Sequence, residues 1–351
     1  MLNRETVLTV LKTKLGVAGS TVAISALQGD ASNRSYYRLH YANENRPATM
    51  ILMELAEPEA FKKSEEQVSA STVTIRELPY INILRHLARS DVAVPKLYFY
   101  DPDNGLLFLE DLGDQTLEME LKDCGEDAAR RYYRLAIDEL TKIQGPVTHD
   151  RDRHCIAFGR AFDVPLLMWE FDHFLEYGIE ARSGLSIKPG DRETIRGEFL
   201  KISERLAAEP KVFTHRDYHS RNLMVHRDRI WILDFQDALV GPGVYDLASL
   251  LRDSYAALED SMLDGLMDYY LDHRREKIDA KQSFRRLFDL MSIQRNLKAA
   301  GRFVYIDVVK KKGHLLPYIP RTLGYVRRNL DRYEELKKLR EALKPYVEEL
   351  R

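Results

Sequence analysis

The sequence predicts an α+β fold with two lobes, a β-rich N-terminal lobe and a mainly helical C-terminal lobe. The chain has 351 residues, which is enough for two domains. Up to about Leu112 its apolar runs are short and bounded by turn residues, as strands are. After Gly113 apolar residues recur mostly at helical spacing. We therefore expect an N-lobe over residues 1–111 and a C-lobe over residues 112–351.

The N-terminal lobe should contain five strands and one helix. Each of its five short apolar runs lies between polar or turn residues, which favours strands over helices. A longer stretch with helical periodicity, residues 75–89, separates the third run from the fourth and predicts a helix. The predicted strands cover residues 22–27, 35–41, 49–55, 96–100 and 106–110.

The C-terminal lobe should be a set of helices interrupted by one hairpin. Tyr132, Leu135, Ala136 and Leu140 recur at the i, i+3, i+4 and i+8 spacing that places them on one helix face. Residues 212–235 break this pattern with short apolar pieces around a polar loop, so strands are expected there. The predicted helices cover residues 128–143, 164–177, 192–207, 244–255, 262–272, 284–298 and 320–339.

The composition excludes several classes of function. The 53 Lys and Arg residues against 55 Asp and Glu residues give a net charge of −2, so no global field attracts nucleic acid or an anionic membrane. The apolar runs fall far short of the ~20 residues of a spanning helix, and the N-terminus lacks the apolar segment of a signal peptide. Two cysteines, Cys124 and Cys155, give no disulfide framework or zinc site. We expect a cytoplasmic protein whose partner is a small molecule, and the oligomeric state stays open.

The hairpin region carries a pattern typical of phosphoryl transfer. It reads His215-Arg216-Asp217-Tyr218-His219-Ser220-Arg221-Asn222, followed by a strand that ends in Asp234. Phosphoryl transfer needs a carboxylate near the acceptor hydroxyl and oxygen ligands for Mg²⁺. A loop that holds an aspartate and an asparagine, followed by a hairpin that ends in an aspartate, can gather three oxygen donors around one site.

These residue types predict separate roles. Asp217 would orient and deprotonate the acceptor hydroxyl, and His215 and His219 of the same motif are further candidate catalytic residues. Asn222 would offer an amide oxygen and Asp234 a carboxylate to Mg²⁺.

A Gly/Pro turn, Gly241-Pro242-Gly243, follows the hairpin and leads into a predicted helix. Asp246 lies near the first turn of that helix. It could cap the helix and also hold the catalytic loop.

Residues 213–255 resemble the Brenner motif of the aminoglycoside phosphotransferase and choline kinase superfamily, relatives of the eukaryotic protein kinases. Within it, THRDYHSRNLMV, LDFQDALVGPGVYDLASLLRDSY and the early GDASNRSYYRL are most similar to the bacterial anomeric N-acetylmuramate/N-acetylglucosamine kinases of peptidoglycan recycling. The resemblance implies a bilobal protein-kinase-like fold. It also implies Mg²⁺-dependent transfer of the γ-phosphate of ATP to the C1 hydroxyl of an amino sugar.

We expect the residues that bind the nucleotide to lie in the N-lobe. A loop between the first two predicted strands lies where kinases cover the triphosphate, and small residues let backbone N–H groups approach phosphate oxygens. Glu110 and Leu112 follow the last strand of the lobe, where similar kinases read adenine with main-chain groups. The candidate loop residues are Gly29, Asp30, Ala31, Ser32, Asn33 and Arg34.

The sequence departs from the kinase pattern at the third strand. The stretch that should end in a phosphate-binding lysine ends in Met53, and a thioether cannot bind phosphate. Glu77 lies just before Pro79 and is a poor partner for such a lysine. Either another cation, with Arg34 as the first candidate, neutralises the phosphates, or the protein is a non-catalytic kinase-like binding protein.

Acidic residues recur every four positions in a predicted helix and could attract a polycationic aminoglycoside. Aminoglycoside O-phosphotransfer is therefore the alternative function. The ordinary interpretation is a solvated helix face whose charge is relieved by Arg274, Arg275 and Lys277. The acidic residues are Asp260, Asp264, Asp268 and Asp272.

Two further sets of polar residues carry little weight. Glu170 and His173 share one side of a predicted helix, but without a second such pair a packed or solvated face is expected rather than a metal site. Arg321 and a lysine run at residues 310–312 could meet the lactyl carboxylate of muramic acid, but such a run is usually solvated.

Overall fold

The computed structural model describes residues 2–17, 22–27, 34–41, 49–55, 77–274 and 281–351. The chain divides into two compact units. The first comprises Met1–Lys63 and Val94–Asp114, and the second comprises Ser64–Ala93 and Gln115–Arg351. No helix within the described ranges combines the length and the apolar character that crossing a bilayer requires.

The first unit contains an antiparallel sheet of five strands in the order β1-β2-β3-β5-β4. All five predicted strands are confirmed, and their ends shift by one residue at most. A helix that the sequence pattern did not indicate, α1 (Arg4–Thr13), precedes the sheet, and the side chain of Asn3 caps it. The strands are β1 (Ala23–Leu27), β2 (Arg34–His40), β3 (Thr49–Leu55), β4 (Leu97–Asp101) and β5 (Leu106–Leu109).

The core of the first unit lies between α1 and one face of the sheet. Val7 and Leu11 of α1 belong to the same buried cluster as Leu39, Leu52 and Phe108. Side chains of successive strand residues point to opposite faces of a sheet. Met53, which follows Leu52, is therefore directed away from this cluster.

The second unit is mainly helical and contains every helix predicted for the C-lobe. The helix predicted over residues 75–89 also belongs to it and begins only at Pro79, because proline suits the first position of a helix. The α-helices are α2 (Pro79–Arg89), α3 (Leu117–Asp123), α4 (Glu126–Lys142), α5 (Val164–His173), α6 (Pro189–Ala207), α7 (Val244–Leu251), α8 (Asp260–His273), α9 (Lys281–Val308), α10 (Ile319–Arg332) and α11 (Lys337–Leu343).

Several helix ends differ from the sequence expectation. π-helical segments, Ile143–Val147 and Phe174–Ala181, extend α4 and α5. The helix predicted over residues 320–339 breaks at Tyr333, whose backbone is extended and whose hydroxyl donates to buried Asp289. Tertiary hydrogen bonding therefore overrides the helical pattern at this position.

Two small antiparallel pairs hold the predicted catalytic segment. Strand β6 (Lys211–Thr214) pairs with β9 (Leu239–Pro242), and β7 (Leu223–His226) pairs with β8 (Arg229–Ile232). The β7–β8 turn has positive φ at Arg227 and Asp228, which is typical of a type I′ hairpin. The predicted hairpin is confirmed. The loop of residues 215–222 joins β6 to β7, and Asp234 follows β8.

Gly301 allows α9 to pack closely against the π-helical segment that follows α5. A Cβ atom at this position would lie 2.9 Å from the Cα of Phe174 and 3.1 Å from the carbonyl oxygen of His173. Both neighbours are backbone atoms, which cannot turn aside as a side chain can. The close approach therefore requires glycine.

We expect Gly301→Ala to destabilise the second unit by about 1–3 kcal/mol, because the added methyl overpacks a backbone contact. The matched control is Gly324→Ala in α10, where a Cβ atom meets nothing within 4 Å and alanine favours the helix. Thermal unfolding of both variants checks this. Equal melting temperatures in the two variants would contradict the packing role of Gly301.

Candidate active site

The loop of residues 215–222 is fixed by buried side chains at both of its ends. His215 is 0% exposed, its Nε2 lies 2.8 Å from the carbonyl oxygen of Leu233, and its Nδ1 accepts the N–H of Asp217 at 3.3 Å. The neutral ring with its proton on Nε2 satisfies both contacts. His215 thus ties the loop to the segment that leads into Asp234.

Asp246 anchors the first part of the loop. Its Oδ2 accepts the N–H of His215 at 2.6 Å and its Oδ1 accepts the N–H of Arg216 at 3.0 Å. These bonds stabilise the left-handed backbone of Arg216, which has φ of 79°. Asp246 is 1% exposed, and burial raises the pKa of its carboxyl group from 3.8 to about 6.

Asp253 anchors the second part of the loop in the same way. Its Oδ2 accepts the N–H of Ser220 and its Oδ1 accepts the N–H of Tyr255, each at 2.8 Å. It is 1% exposed, and burial raises its pKa. Helix α7 ends at Leu251 rather than at the predicted residue 255, so that Asp253 can turn toward the loop. The sequence analysis missed Asp253, although it lies seven residues after Asp246 in the same matched segment.

The carboxylate of Asp217 remains accessible while its main chain is held. Its side chain is 36% exposed, and its carbonyl oxygen accepts a 3.0 Å hydrogen bond from the Nδ2 of Asn222. Its Oδ1 lies 3.7 Å from the Nζ of Lys298 on α9. A half-exposed carboxylate on a rigid loop beside a cation can orient a hydroxyl group.

Lys298 belongs to a buried charge network that the sequence analysis missed. Its Nζ also lies 4.0 Å from the Oε1 of Glu170, which is 0% exposed and pairs with Arg216 at 3.3 Å. Gln294, one turn before Lys298, donates to the other oxygen of Glu170 at 2.8 Å. Glu170, Arg216 and Lys298 are far apart in the sequence, so no local pattern predicts that they meet. The only hint in the sequence is that Gln294 and Lys298 are four residues apart and share one side of a helix.

His219 is neutral at physiological pH. Burial lowers the pKa of its ring to about 3, and the ring packs edge-on against Tyr255 at 5.0 Å between centroids. Within the described residues its buried Nδ1 has no hydrogen-bond partner. A neutral ring of this kind can exchange a hydrogen bond with a ligand but carries no charge.

Asn222 and Asp234 provide donor atoms that fit a divalent cation. The amide nitrogen of Asn222 donates to the main-chain carbonyl of Asp217. The amide oxygen of Asn222 is therefore the atom that could bind a cation. The N–H of Leu233 donates to the carbonyl oxygen of Asn222 at 2.9 Å, which brings the two segments together. Asp234 has φ of 60°, and its Oδ1 accepts from Gln236 at 2.7 Å. An amide oxygen and a carboxylate are ligands that Mg²⁺ prefers.

The described part of the chain contains no group of three or more His, Cys, Asp or Glu side chains that could hold a metal. Glu170 is ion-paired with Arg216, and the ring of His173 stacks on Trp169 with 5.6 Å between centroids.

The predicted nucleotide residues lie in the first unit. The loop residues Gly29, Asp30, Ala31, Ser32 and Asn33 are outside the described residues, whereas half-buried Arg34 begins β2 opposite Leu55. Met53 is 0% exposed at the centre of the sheet, between Tyr36 and Leu107.

The segment after β5 is ordered by ion pairs. Arg38 binds Asp111 at 2.7 Å and Asp114 at 2.8 Å. The main chain and carboxylate of Glu110 both hydrogen-bond to the main chain of Lys96, and Leu112 is buried. The Glu110 side chain is thus held by the protein rather than merely solvated.

A sequence model described as the phosphotransferase enzyme family matches residues 23–279. The chain belongs to this family.

Curated relatives within the phosphotransferase enzyme family share one name. An N-acetylmuramate/N-acetylglucosamine kinase from Neisseria meningitidis serogroup B is 36% identical over 70% of this chain and 73% of its own length. A kinase of the same name from Pseudomonas putida is 31% identical over 93% of this chain and 88% of its own length.

Solved structures support the kinase-like fold of this family member. A choline/ethanolamine kinase family protein from Mesorhizobium loti has a TM-score of 0.60 at 15% identity, over 97% of this chain and 99% of its own. An ADP-bound aminoglycoside phosphotransferase has a TM-score of 0.58 at 15% identity, over 92% and 98%. At these identities the likeness shows the fold alone, and it confirms the predicted α+β, protein-kinase-like class.

Three acidic residues of α8 in this phosphotransferase form ion pairs with cations other than those named from sequence. Arg275 and Lys277 lie outside the described residues, and Arg274 lies over the ring of Tyr270. The observed pairs are Arg252–Asp260 at 2.9 Å, Arg285–Asp264, and Lys281–Asp268 at 2.8 Å. Cations from before and after α8 therefore relieve part of the charge on this face.

The raised pKa of Asp246 predicts a pH-dependent stability. Because the folded state binds this proton more tightly than the unfolded chain, Asp246 stabilises the fold at low pH and loses that contribution as pH rises from about 4 through about 6. Asp246→Asn cannot titrate. The melting temperature of the wild type relative to that of Asp246→Asn should therefore be higher at the acid end of this range, and a constant difference would contradict burial as the cause.

Proposed function

We propose that this phosphotransferase is an ATP-dependent kinase that phosphorylates the anomeric hydroxyl of an N-acetylated amino sugar. The observation that carries the proposal is the loop of residues 215–222, in which Asp217 is accessible while buried carboxylates accept the main-chain N–H groups of residues 215, 216 and 220. Four curated relatives, 29–36% identical, bear the name N-acetylmuramate/N-acetylglucosamine kinase. Their shared name supports an amino sugar as the acceptor.

Asp217 is proposed to orient the acceptor hydroxyl and to accept its proton. An exposed carboxylate is a weak base, so positioning matters as much as proton removal. An anomeric hydroxyl is more acidic than an ordinary alcohol, which eases the transfer. The Nζ of Lys298, 3.7 Å from the Oδ1 of Asp217, helps to position the carboxylate.

The remaining residues of the motif are proposed to support this step. Asn222 and Asp234 would hold Mg²⁺, which neutralises developing charge on the transferred phosphate when it is bound. His215 is buried with both ring nitrogens engaged, so we assign it to positioning of the loop rather than to proton transfer. His219 offers a neutral ring for a hydrogen bond to the acceptor. Asp246 would support the loop through its hydrogen bonds to the N–H groups of His215 and Arg216.

ATP is the proposed phosphate donor. The ADP-bound fold neighbour supports use of a nucleotide. Residues 29–34 are proposed to contact the phosphates, and the main chain at Glu110 and Leu112 to contact adenine. Free thiols at Cys124 and Cys155 agree with the reducing, cytoplasmic setting in which ATP is available.

The two alternative functions are less well supported. Three carboxylates on α8 that could attract an aminoglycoside are already paired with Arg or Lys side chains. A non-catalytic binding protein would have no need of a held loop with an accessible Asp217.

Incubation with ATP, Mg²⁺ and a panel of N-acetylhexosamines and aminoglycosides tests the proposal. We expect ADP release and a phosphorus NMR signal of a sugar 1-phosphate with the amino sugars. Asp217→Asn should lower kcat by roughly 10²–10⁴-fold, whereas Asp228→Asn, at an exposed hairpin position, should not. Phosphorylation of an aminoglycoside alone would select the alternative function, and no ADP release with any acceptor would favour a binding protein.

Arg34 is proposed to replace the missing lysine of the third strand. Arg34→Ala should raise the KM for ATP roughly tenfold, with little effect on the KM for the sugar, because a phosphate contact is lost. Arg34→Lys should recover part of the loss. If the KM for ATP and kcat both stay at wild-type values in Arg34→Ala, another cation takes this role.

A further inference from the structure

Helix α9 carries a second cation close to the catalytic loop. Arg302 lies one helical turn after Lys298, and a rise of 1.5 Å per residue places it about 6 Å further along the axis, comparable to the width of one pyranose ring. Residues four apart share one side of a helix. Both side chains are half-buried. The two cations therefore lie on one side of α9, and Lys298 is the one that approaches Asp217.

The guanidinium of Arg302 is held by an aromatic platform rather than by a carboxylate. It lies 4.8 Å from the centroid of the Tyr305 ring. Tyr305 in turn packs edge-on against Tyr177, with 5.1 Å between ring centroids, and in a tilted arrangement against His173, with 5.4 Å between centroids. A guanidinium attracted to the face of a ring keeps N–H groups with which it can bind a carboxylate through two hydrogen bonds.

Arg302 differs from the other arginines around the loop, each of which has a polar partner. Among residues 2–17, 22–27, 34–41, 49–55, 77–274 and 281–351, no hydrogen bond or ion pair is made by the Arg302 side chain. Lys298 is engaged with two carboxylates. The partners are Glu170 for Arg216, Glu118 and Tyr318 for Arg221, Ser249 for Arg295, and the carbonyls of Ser254 and Tyr255 for Arg321.

We propose that Arg302 binds the carboxylate of an acidic amino sugar and so makes this kinase prefer a muramate-type acceptor to a glucosamine-type acceptor. The inference rests on the proposed function. N-acetylmuramate carries a lactyl carboxylate on the ring that N-acetylglucosamine lacks, and the two are otherwise alike. A cation that is not paired with a carboxylate of the protein can bind the lactyl carboxylate of N-acetylmuramate, and it has no such group to bind in N-acetylglucosamine. Arg321, the cation considered from sequence, is instead bound to main-chain carbonyls.

Steady-state kinetics of Arg302→Gln with three acceptors tests this role. For N-acetylmuramate, kcat/KM should fall at least about tenfold, mainly through KM, which corresponds to about 1.4 kcal/mol of lost binding. For N-acetylglucosamine it should stay within about twofold. The neutral methyl ester of N-acetylmuramate should react equally well with wild type and variant. Arg302→Lys should recover part of the preference, and Arg327→Gln, on the exposed side of α10, should leave all three values unchanged.

The outcomes separate this inference from the proposed function. If the wild type phosphorylates neither sugar, the function is wrong and the inference falls with it. If it phosphorylates both, and Arg302→Gln lowers kcat/KM for both by the same factor, the function stands and Arg302 is not the carboxylate contact. Activity of Arg302→Gln on N-acetylglucosamine also shows that the variant is folded, so a selective loss on N-acetylmuramate supports the inference directly.

Discussion

The loop of residues 215–222 depends on two buried carboxylates that accept main-chain N–H groups. Asp246 and Asp253 each use both oxygens for this purpose, and together they fix the backbone at residues 215, 216, 220 and 255. An ionised carboxylate is a stronger acceptor than a neutral group, and its burial is tolerated because two N–H donors compensate for the lost water. The cost of burial appears in the raised pKa of both groups. Because these hydrogen bonds fix the main chain of the loop, the side chain of Asp217 can be exposed while the loop keeps its conformation.

A second layer of charge connects this loop to the helices behind it. Arg216 and Lys298 approach the same fully buried carboxylate, Glu170, and Lys298 also approaches Asp217. Removal of one member of a buried ion network leaves an uncompensated charge, so such a network fixes positions even where its net contribution to stability is small. The close packing at Gly301 holds α9 against the π-helical segment in the same region. Packing and charge thus set the position of Lys298, and with it the proposed place of Arg302.

Much of the fold and part of the site could be predicted from the sequence, because local patterns carry that information. The five strands of the first unit follow from short apolar runs, and the H-x-D-x-H-x-x-N motif with Asp234 follows from residue type and order. The contact of Asp246 with the loop was also readable, because Asp246 lies in the first turn of a helix that follows a Gly/Pro turn. The expectation that Asp246 caps this helix was wrong, because Gly243 is the N-cap and no side chain caps α7. Asp253 was missed since it lies at the end of a predicted helix, and only the hydrogen bonds of the folded loop show why the helix stops before it.

The sequence by itself therefore determined the fold class, the family and the order of the catalytic residues, all of which depend on near neighbours along the chain. Only the tertiary structure decided which distant residues surround Asp217. Glu170 lies on α5 and Lys298 on α9, far apart in sequence, and their places beside the loop depend on burial and on distances between charges. The structure likewise decided that the acidic face of α8 is ion-paired. Coulombic and packing interactions depend on distance in space, and no periodicity along a chain encodes that distance.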